Sequence, residues 1–266
     1  MASTQIFLRQ ELANSWQGQD VFSNVRQLEG DVYRDKEGRK TLRFDLNDKP
    51  YFAKVHQGVG WSEIIKNIVQ LRAPVISAKN EWTAIKFLEK HDIDTMTIAA
   101  YGERGHNPAK VESFIITDEL TNTMSLELLG QQWQQTPPTF NTKNCLINKL
   151  ANISKTMHEQ GMNHRDYYLC HFLLDENFAT HNVIDDSTQL FLIDLHRAQI
   201  RNKTPLRWII KDIGSLYYSA AQVPLTQRDL FRFMKTYSGM SLRETLDKQH
   251  DFWLNVAKRA DKLINQ

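Results

Sequence analysis

The sequence predicts an α+β fold of two lobes. A small antiparallel β-rich N-terminal lobe runs over about 20–118, and a mostly helical C-terminal lobe over about 123–266. Three observations predict it. Residues 28–54 alternate apolar and polar side chains with the period of strands, broken by turn residues. Beyond Asn144 apolar residues recur mostly at helical spacing. A chain of 266 residues is long enough for one large domain or two small lobes sharing a cleft. The whole chain, 1–266, is read as a single domain.

The first ~20 residues form a polar tail, suited at most to a docking strand. Three strands follow: Val32-Tyr33-Arg34, Thr41–Leu46 and Tyr51–Val55. Turns at Glu37-Gly38 and Asn47-Asp48-Lys49-Pro50 separate them into a meander. Trp61–Leu71 is a helix with Ile64, Ile65, Ile68 and Val69 on several sides. Core packing is its expected role; contact with a membrane or with an acidic protein partner stays open. Lys79–His91 is a second helix, with Trp82, Ile85, Phe87 and Leu88 on its apolar face. Phe114–Thr117 is a short buried strand, and Ser125 begins a short helix. Gln131–Pro138 reads as a loop, and Phe172–Asp194 as a hairpin among helices.

Composition narrows the function. Hydrophobic content of 41% and charged content of 24% are ordinary for a globular protein. Two cysteines, Cys145 and Cys170, do not make a disulfide framework and fit a reducing compartment. There is no signal-peptide pattern, and no apolar run approaches the ~20 residues that cross a bilayer. The expectation is a cytoplasmic protein, or one peripheral to the cytoplasmic face of a membrane. Net charge is +2, but His196–Lys235 carries eight Lys/Arg against two acids. That stretch is either a solvated helical face or a surface that collects an acidic substrate or anionic lipid. No zinc-finger or RNA-binding signature accompanies it, so nucleic acid is not an expected partner.

The chemistry concentrates around His164-Arg165-Asp166. Before it stands a helical stripe through Leu150, Ile153 and Met157, closed by Gly161. After it come Phe172-Leu173-Leu174 and Phe191-Leu192-Ile193-Asp194. This is the order of parts in a protein-kinase-like catalytic loop, and it points to phosphoryl transfer from ATP. Asp166 is the candidate that accepts the proton of the attacking hydroxyl; the plain alternative is a helix-capping Asp. Asp194, closing an apolar run, is the candidate Mg²⁺ ligand. Lys54 shares a strand face with Phe52 and is the candidate cation on the ATP phosphates, against an ordinary edge-strand Lys facing water. Glu81 is its expected partner, with Glu63 and Glu89 as rivals. A nucleotide is expected between the lobes, where Gly30 and Glu119 complete the ATP-binding candidates. His164 reads as a hydrogen-bonded scaffold residue, Arg165 as half of a structural ion pair and His158 as a buried helix histidine. Asp185 and Asp186 read as solvated.

Several segments closely resemble the lipopolysaccharide core heptose(I) kinases of Gram-negative bacteria. They are Asn163–Leu174, Ile193–Gln199, Tyr51–His56, Glu63–Asn67, Phe114–Thr117 and Leu225–Asp229. The resemblance covers nearly the whole chain, and it is the combination that is specific. It implies a protein-kinase-like fold and ATP-dependent phosphorylation of the first heptose of the inner core, with Asp166 as the catalytic Asp. The resemblance also implies that the acceptor is an anionic glycolipid anchored in the membrane, and on that expectation Arg197, Arg201, Lys203 and Arg207 are candidates to line its side of the site.

Departures from ordinary protein kinases are as informative. His171 stands five residues after Asp166, where an Asn binds a second metal. Imidazole suits Mg²⁺ poorly, so either one metal suffices or His171 meets phosphate. Leu195-His196 replaces Phe-Gly after Asp194, and Glu29-Gly30-Asp31-Val32 offers a single glycine. Asp212 resembles the helix Asp that braces a kinase catalytic loop from below. Other readings remain open: a Kdo kinase, a kinase acting on protein Tyr or Ser, or a pseudokinase that binds nucleotide as a scaffold.

Overall fold

The computed structural model describes residues 4–36, 38–69, 75–176, 184–185 and 187–265. The chain divides into two compact units, one of residues 1–87 and 96–120, the other of 88–95 and 121–266.

The first unit is built on six strands: β1 (Thr4–Leu8), β2 (Asp31–Lys36), β3 (Arg39–Leu46), β4 (Lys49–Gln57), β5 (Ile98–Arg104) and β6 (Glu112–Asp118). All pair antiparallel, in the order β1-β5-β6-β4-β3-β2. The polar N-terminal tail does dock as a strand, Thr4 opposite Arg104 through Leu8 opposite Ala100. Two short helices follow it, α1 (Gln10–Ser15) and α2 (Val21–Arg26). Their Leu12, Trp16, Phe22 and Val25 are buried with Leu42, Phe44, Tyr51 and Phe114 of the sheet. Each such side chain removed from water contributes about 1.5–3 kcal/mol.

Helix α3 (Gly60–Val69) departs from the expected core packing. Ile64 is buried in a small cluster with Val59 and Ala109, but Trp61, Ile65 and Val69 are 54%, 56% and 76% exposed. The apolar arc of this helix is wider than the small cluster that covers it. Leu71 and Arg72, and the side chains of Glu63, Asn67 and Ile68, lie outside the described residues. Helix α4 (Lys79–Lys90) buries Trp82 against Tyr101, ring centroids 4.8 Å apart.

The second unit opens with β7 (Thr123–Ser125) and α5 (Leu126–Gln135), capped by the Ser125 hydroxyl on the Leu128 N–H. The expected loop at Gln131–Pro138 is therefore helical as far as Gln135. Its glutamines face solvent while Trp133 is buried, which hides the helical period. Helix α6 (Phe140–Glu159) leads to β8 (Met162–Asn163), and β9 (Phe172–Asp175) pairs with β10 (Leu190–Leu192) and β7. The pair β8 and β11 (Gln199–Ile200) clamps the loop between them. Helices α7 (Leu206–Ser219), α8 (Gln227–Ser238), α9 (Leu242–Lys248) and α10 (His250–Ile264) complete the unit. No helix among the described residues is long and apolar enough to cross a membrane.

Candidate active site

Within the sheet unit, Lys54 points away from the buried Tyr51 and Ala53, as the alternation requires. Its ammonium lies 2.8 Å from Oε1 of Glu81 in the first turn of α4. Glu81 is 2% exposed and Lys54 26%, so a buried carboxylate anchors a half-exposed cation. Of the two rivals, Glu89 faces solvent and the side chain of Glu63 lies outside the described residues.

The other two nucleotide candidates have local roles. Gly30 precedes β2, where a Cβ would stand 2.0 Å from the Arg43 carbonyl oxygen. Its need for glycine is thus a close backbone crossing. The turn joining β2 to β3, where a phosphate-covering glycine belongs, holds Gly38 instead. Glu119 pairs with Arg43 Nε at 2.9 Å, and its N–H donates to the Pro50 carbonyl.

Within the helical unit, Asp212 organises the loop. It is 1% exposed; Oδ2 accepts the His164 N–H at 2.7 Å and Oδ1 the Arg165 N–H at 2.9 Å. The brace expected of it is present. Gly161 gives the loop its entry: φ is +100°, and a Cβ would meet the Arg201 carbonyl oxygen at 1.8 Å.

His164 is fully buried and reaches both halves of the site. The Asp166 N–H points to its Nδ1 at 3.3 Å, and Nε2 lies 3.0 Å from the Ile193 carbonyl. One nitrogen accepts and the other donates, which is the pattern of a neutral ring. Burial lowers its pKa in the same sense. His164 is thus the scaffold residue expected. His158 is likewise buried, 3.4 Å from Asp212.

Asp166 and Asp194 are joined through neighbours. Arg197 Nη1 donates to Asp166 Oδ1 at 2.6 Å. His171 Nδ1 lies 2.6 Å from the Asp166 carbonyl, and its Nε2 3.7 Å from Asp194 Oδ2. His196 Nδ1 lies 2.8 Å from Asp194 Oδ1. Asp194 itself takes a left-handed backbone, φ 60°, and starts the tight turn Leu195–Arg197 that returns Arg197 to Asp166. Burial alone would lower the His171 pKa; the Cys170 side chain, the Asp166 carbonyl and Asp194 outweigh it, pushing the imidazole up to about 9. A protonated ring at this position pairs with the Asp194 carboxylate.

A single carboxylate at Asp194 fits Mg²⁺, which takes one or two carboxylates together with substrate phosphates. No cluster of three or more His, Cys, Asp or Glu suited to a metal occurs among the described residues.

The substrate candidates divide. Arg197 is bound to Asp166, and Arg201 donates to Asn163 Oδ1 at 2.7 Å and to Gln199. Lys203 and Arg207 are exposed. Arg165 forms no ion pair with a described carboxylate; its guanidinium stacks 5.1 Å over the Trp208 ring. The expected ion pair fails because Asp166 and Asp212 bond other donors. Asp185 is exposed as expected, and Asp186 lies outside the described residues.

The same unit holds an apolar cavity of about 290 Å³, lined by Leu126, Trp133, Leu150, Leu216, Met234 and Trp253 among others. Nothing in the residue pattern had marked it, because its walls are the ordinary inner faces of helices.

Known proteins resemble this chain along nearly all its length. The model of the lipopolysaccharide kinase (Kdo/WaaP) family matches residues 23–237. The lipopolysaccharide core heptose(I) kinase WaaP of Pseudomonas aeruginosa PAO1 is 43% identical over 262 residues, 98% of this chain and 97% of that protein. WaaP of Escherichia coli K12 is 45% identical over 256 residues, 96% of each. A solved structure of WaaP in complex with acyl carrier protein superposes with a TM-score of 0.83 at 40% identity, covering 97% of this chain and 99% of that one. The fold is thus the α+β, protein-kinase-like one, and the chain belongs to the lipopolysaccharide kinase (Kdo/WaaP) family.

Proposed function

We propose that this protein transfers the γ-phosphoryl group of ATP to a hydroxyl of the first heptose of the lipopolysaccharide inner core. The observation that carries this is the loop braced by Asp212, which holds Asp166 with one carboxylate oxygen bonded to Arg197. Relatives matched at nearly full length bear the name of that activity.

In this reading Asp166 orients the acceptor hydroxyl through Oδ2 and takes its proton as the new P–O bond forms. Such help is worth roughly 10²–10⁴-fold. Arg197 keeps the carboxylate in one orientation. Lys54, anchored by Glu81, neutralises charge on the ATP phosphates. Asp194 would hold Mg²⁺, which when bound supplies positive charge to the phosphate oxygens.

Two partners belong to the same reading. The exposed stripe Trp61, Ile65 and Val69 of α3 suits the cytoplasmic face of the inner membrane, where the glycolipid acceptor is anchored. An acidic carrier protein is the second: a relative was solved bound to acyl carrier protein, and the apolar cavity here has the chemistry to accept an acyl chain.

The test is purified protein with ATP, Mg²⁺ and unphosphorylated inner core. Phosphate on the first heptose supports the reading; nucleotide binding without transfer to any acceptor overturns it.

A further inference from the structure

The helical unit carries a second concentration of positive charge beside the Asp166 loop. Three cations surround the indole of Trp208: Lys211 Nζ at 4.4 Å, the Arg165 guanidinium at 5.1 Å and that of Arg207 at 5.5 Å from the ring centre. Arg259 of α10 joins them. A Cβ at Gly214, one turn beyond Lys211, would stand 2.5 Å from its Cγ. Lys262 follows within electrostatic reach of Lys211.

None of these five cations forms an ion pair with a described carboxylate. The acids nearest Arg165 are Asp166, which accepts from Arg197, and Asp212, which accepts from the backbone of the loop. Burial and then the neighbouring cations hold the Lys211 ammonium below its usual range; burial and Arg197 do the same to Arg165. Three N–H donors are also buried without a partner: Nε of Arg165, Nε of Arg259 and Nε1 of Trp208. Arg165 adopts a left-handed backbone, φ 78°, which costs a non-glycine residue energy and persists only where neighbours impose it. Here Asp212 imposes it.

Clustered cations repel unless an anion neutralises them, and orphaned donors favour an acceptor with several lone pairs. We propose that Arg165, Arg207, Trp208, Lys211 and Arg259 form a binding site for an oxyanion, a carboxylate or phosphate carried on the core glycan of the acceptor. The proposal rests on the function proposed above. Arg165 directly precedes Asp166, so an anion held by this cluster fixes how the acceptor sugar meets the catalytic carboxylate.

The test uses the full chain, unaltered and as Arg207→Gln/Lys211→Gln, two exposed positions. The probes are lipid-free inner-core oligosaccharide and the same oligosaccharide stripped of charge by carboxyl reduction and phosphate removal. For the charged probe the acceptor KM rises roughly tenfold or more in the variant, while the KM for ATP does not move. For the stripped probe the two proteins converge. Equal KM values for the charged probe overturn the proposal. So does an effect that emerges only in vesicles of anionic lipid, which would assign the cluster to lipid headgroups. If the unaltered protein transfers no phosphate, the functional reading fails. Calorimetric binding of the two probes then tests the cluster alone: preference for the charged one, lost in the variant, supports it, and equal binding overturns it.

Discussion

Arg197 donates to Asp166 across 31 residues of sequence, Nη1 to Oδ1 at 2.6 Å, from the tight turn that Asp194 begins. One arginine thereby ties the candidate base to the candidate metal ligand. In the proposed reaction Oδ2 of Asp166 is the oxygen that meets the acceptor hydroxyl. Arg197→Ala is expected to lower kcat about 10–100-fold with a smaller change in the KM for ATP, because orientation of the base is lost. Arg197→Lys should recover part of kcat, since a point charge restores the pairing but not the planar fork. Steady-state kinetics on the three proteins checks this.

The Lys54–Glu81 pair predicts an asymmetry in stability. Lys54→Ala leaves a carboxylate that is 2% exposed without its counter-charge, whereas Glu81→Gln leaves a lysine that reaches solvent. Breaking a buried pair from the exposed side costs about 3–5 kcal/mol. Urea unfolding of Lys54→Ala should show a larger loss than Glu81→Gln, while both weaken nucleotide binding.

His171 predicts a pH dependence. Its folded pKa, about 9, lies above the ordinary 6.5 of imidazole, so the charged ring favours the folded state. That contribution is complete below about 6.5 and is lost as pH rises through about 9. Urea midpoints for the nucleotide-free protein should fall across this window and flatten in His171→Gln. An unchanged slope would remove the imidazolium from the account.

Much of the site was legible because local chemistry fixes it. Asp194 ends an apolar strand, Asp212 sits on a helix under the loop, and the strand period aims Lys54. Other parts were hidden for physical reasons. β5 is buried on both faces through Ala99, Ala100 and Tyr101, so it shows no alternation. The reach of Arg197 depends on a left-handed Asp194 that periodicity does not reveal. The segment Glu29-Gly30-Asp31-Val32 offers a single glycine, while the β2–β3 turn itself carries Gly38, which the sequence marks only as a turn residue.

The most direct measurement is phosphate transfer to unphosphorylated inner core by the unaltered protein and by Asp166→Asn, with circular dichroism to verify that both are folded. The account predicts phosphate on the first heptose and a loss of roughly 10²–10⁴-fold in the variant. Transfer at an unreduced rate by folded Asp166→Asn would contradict it.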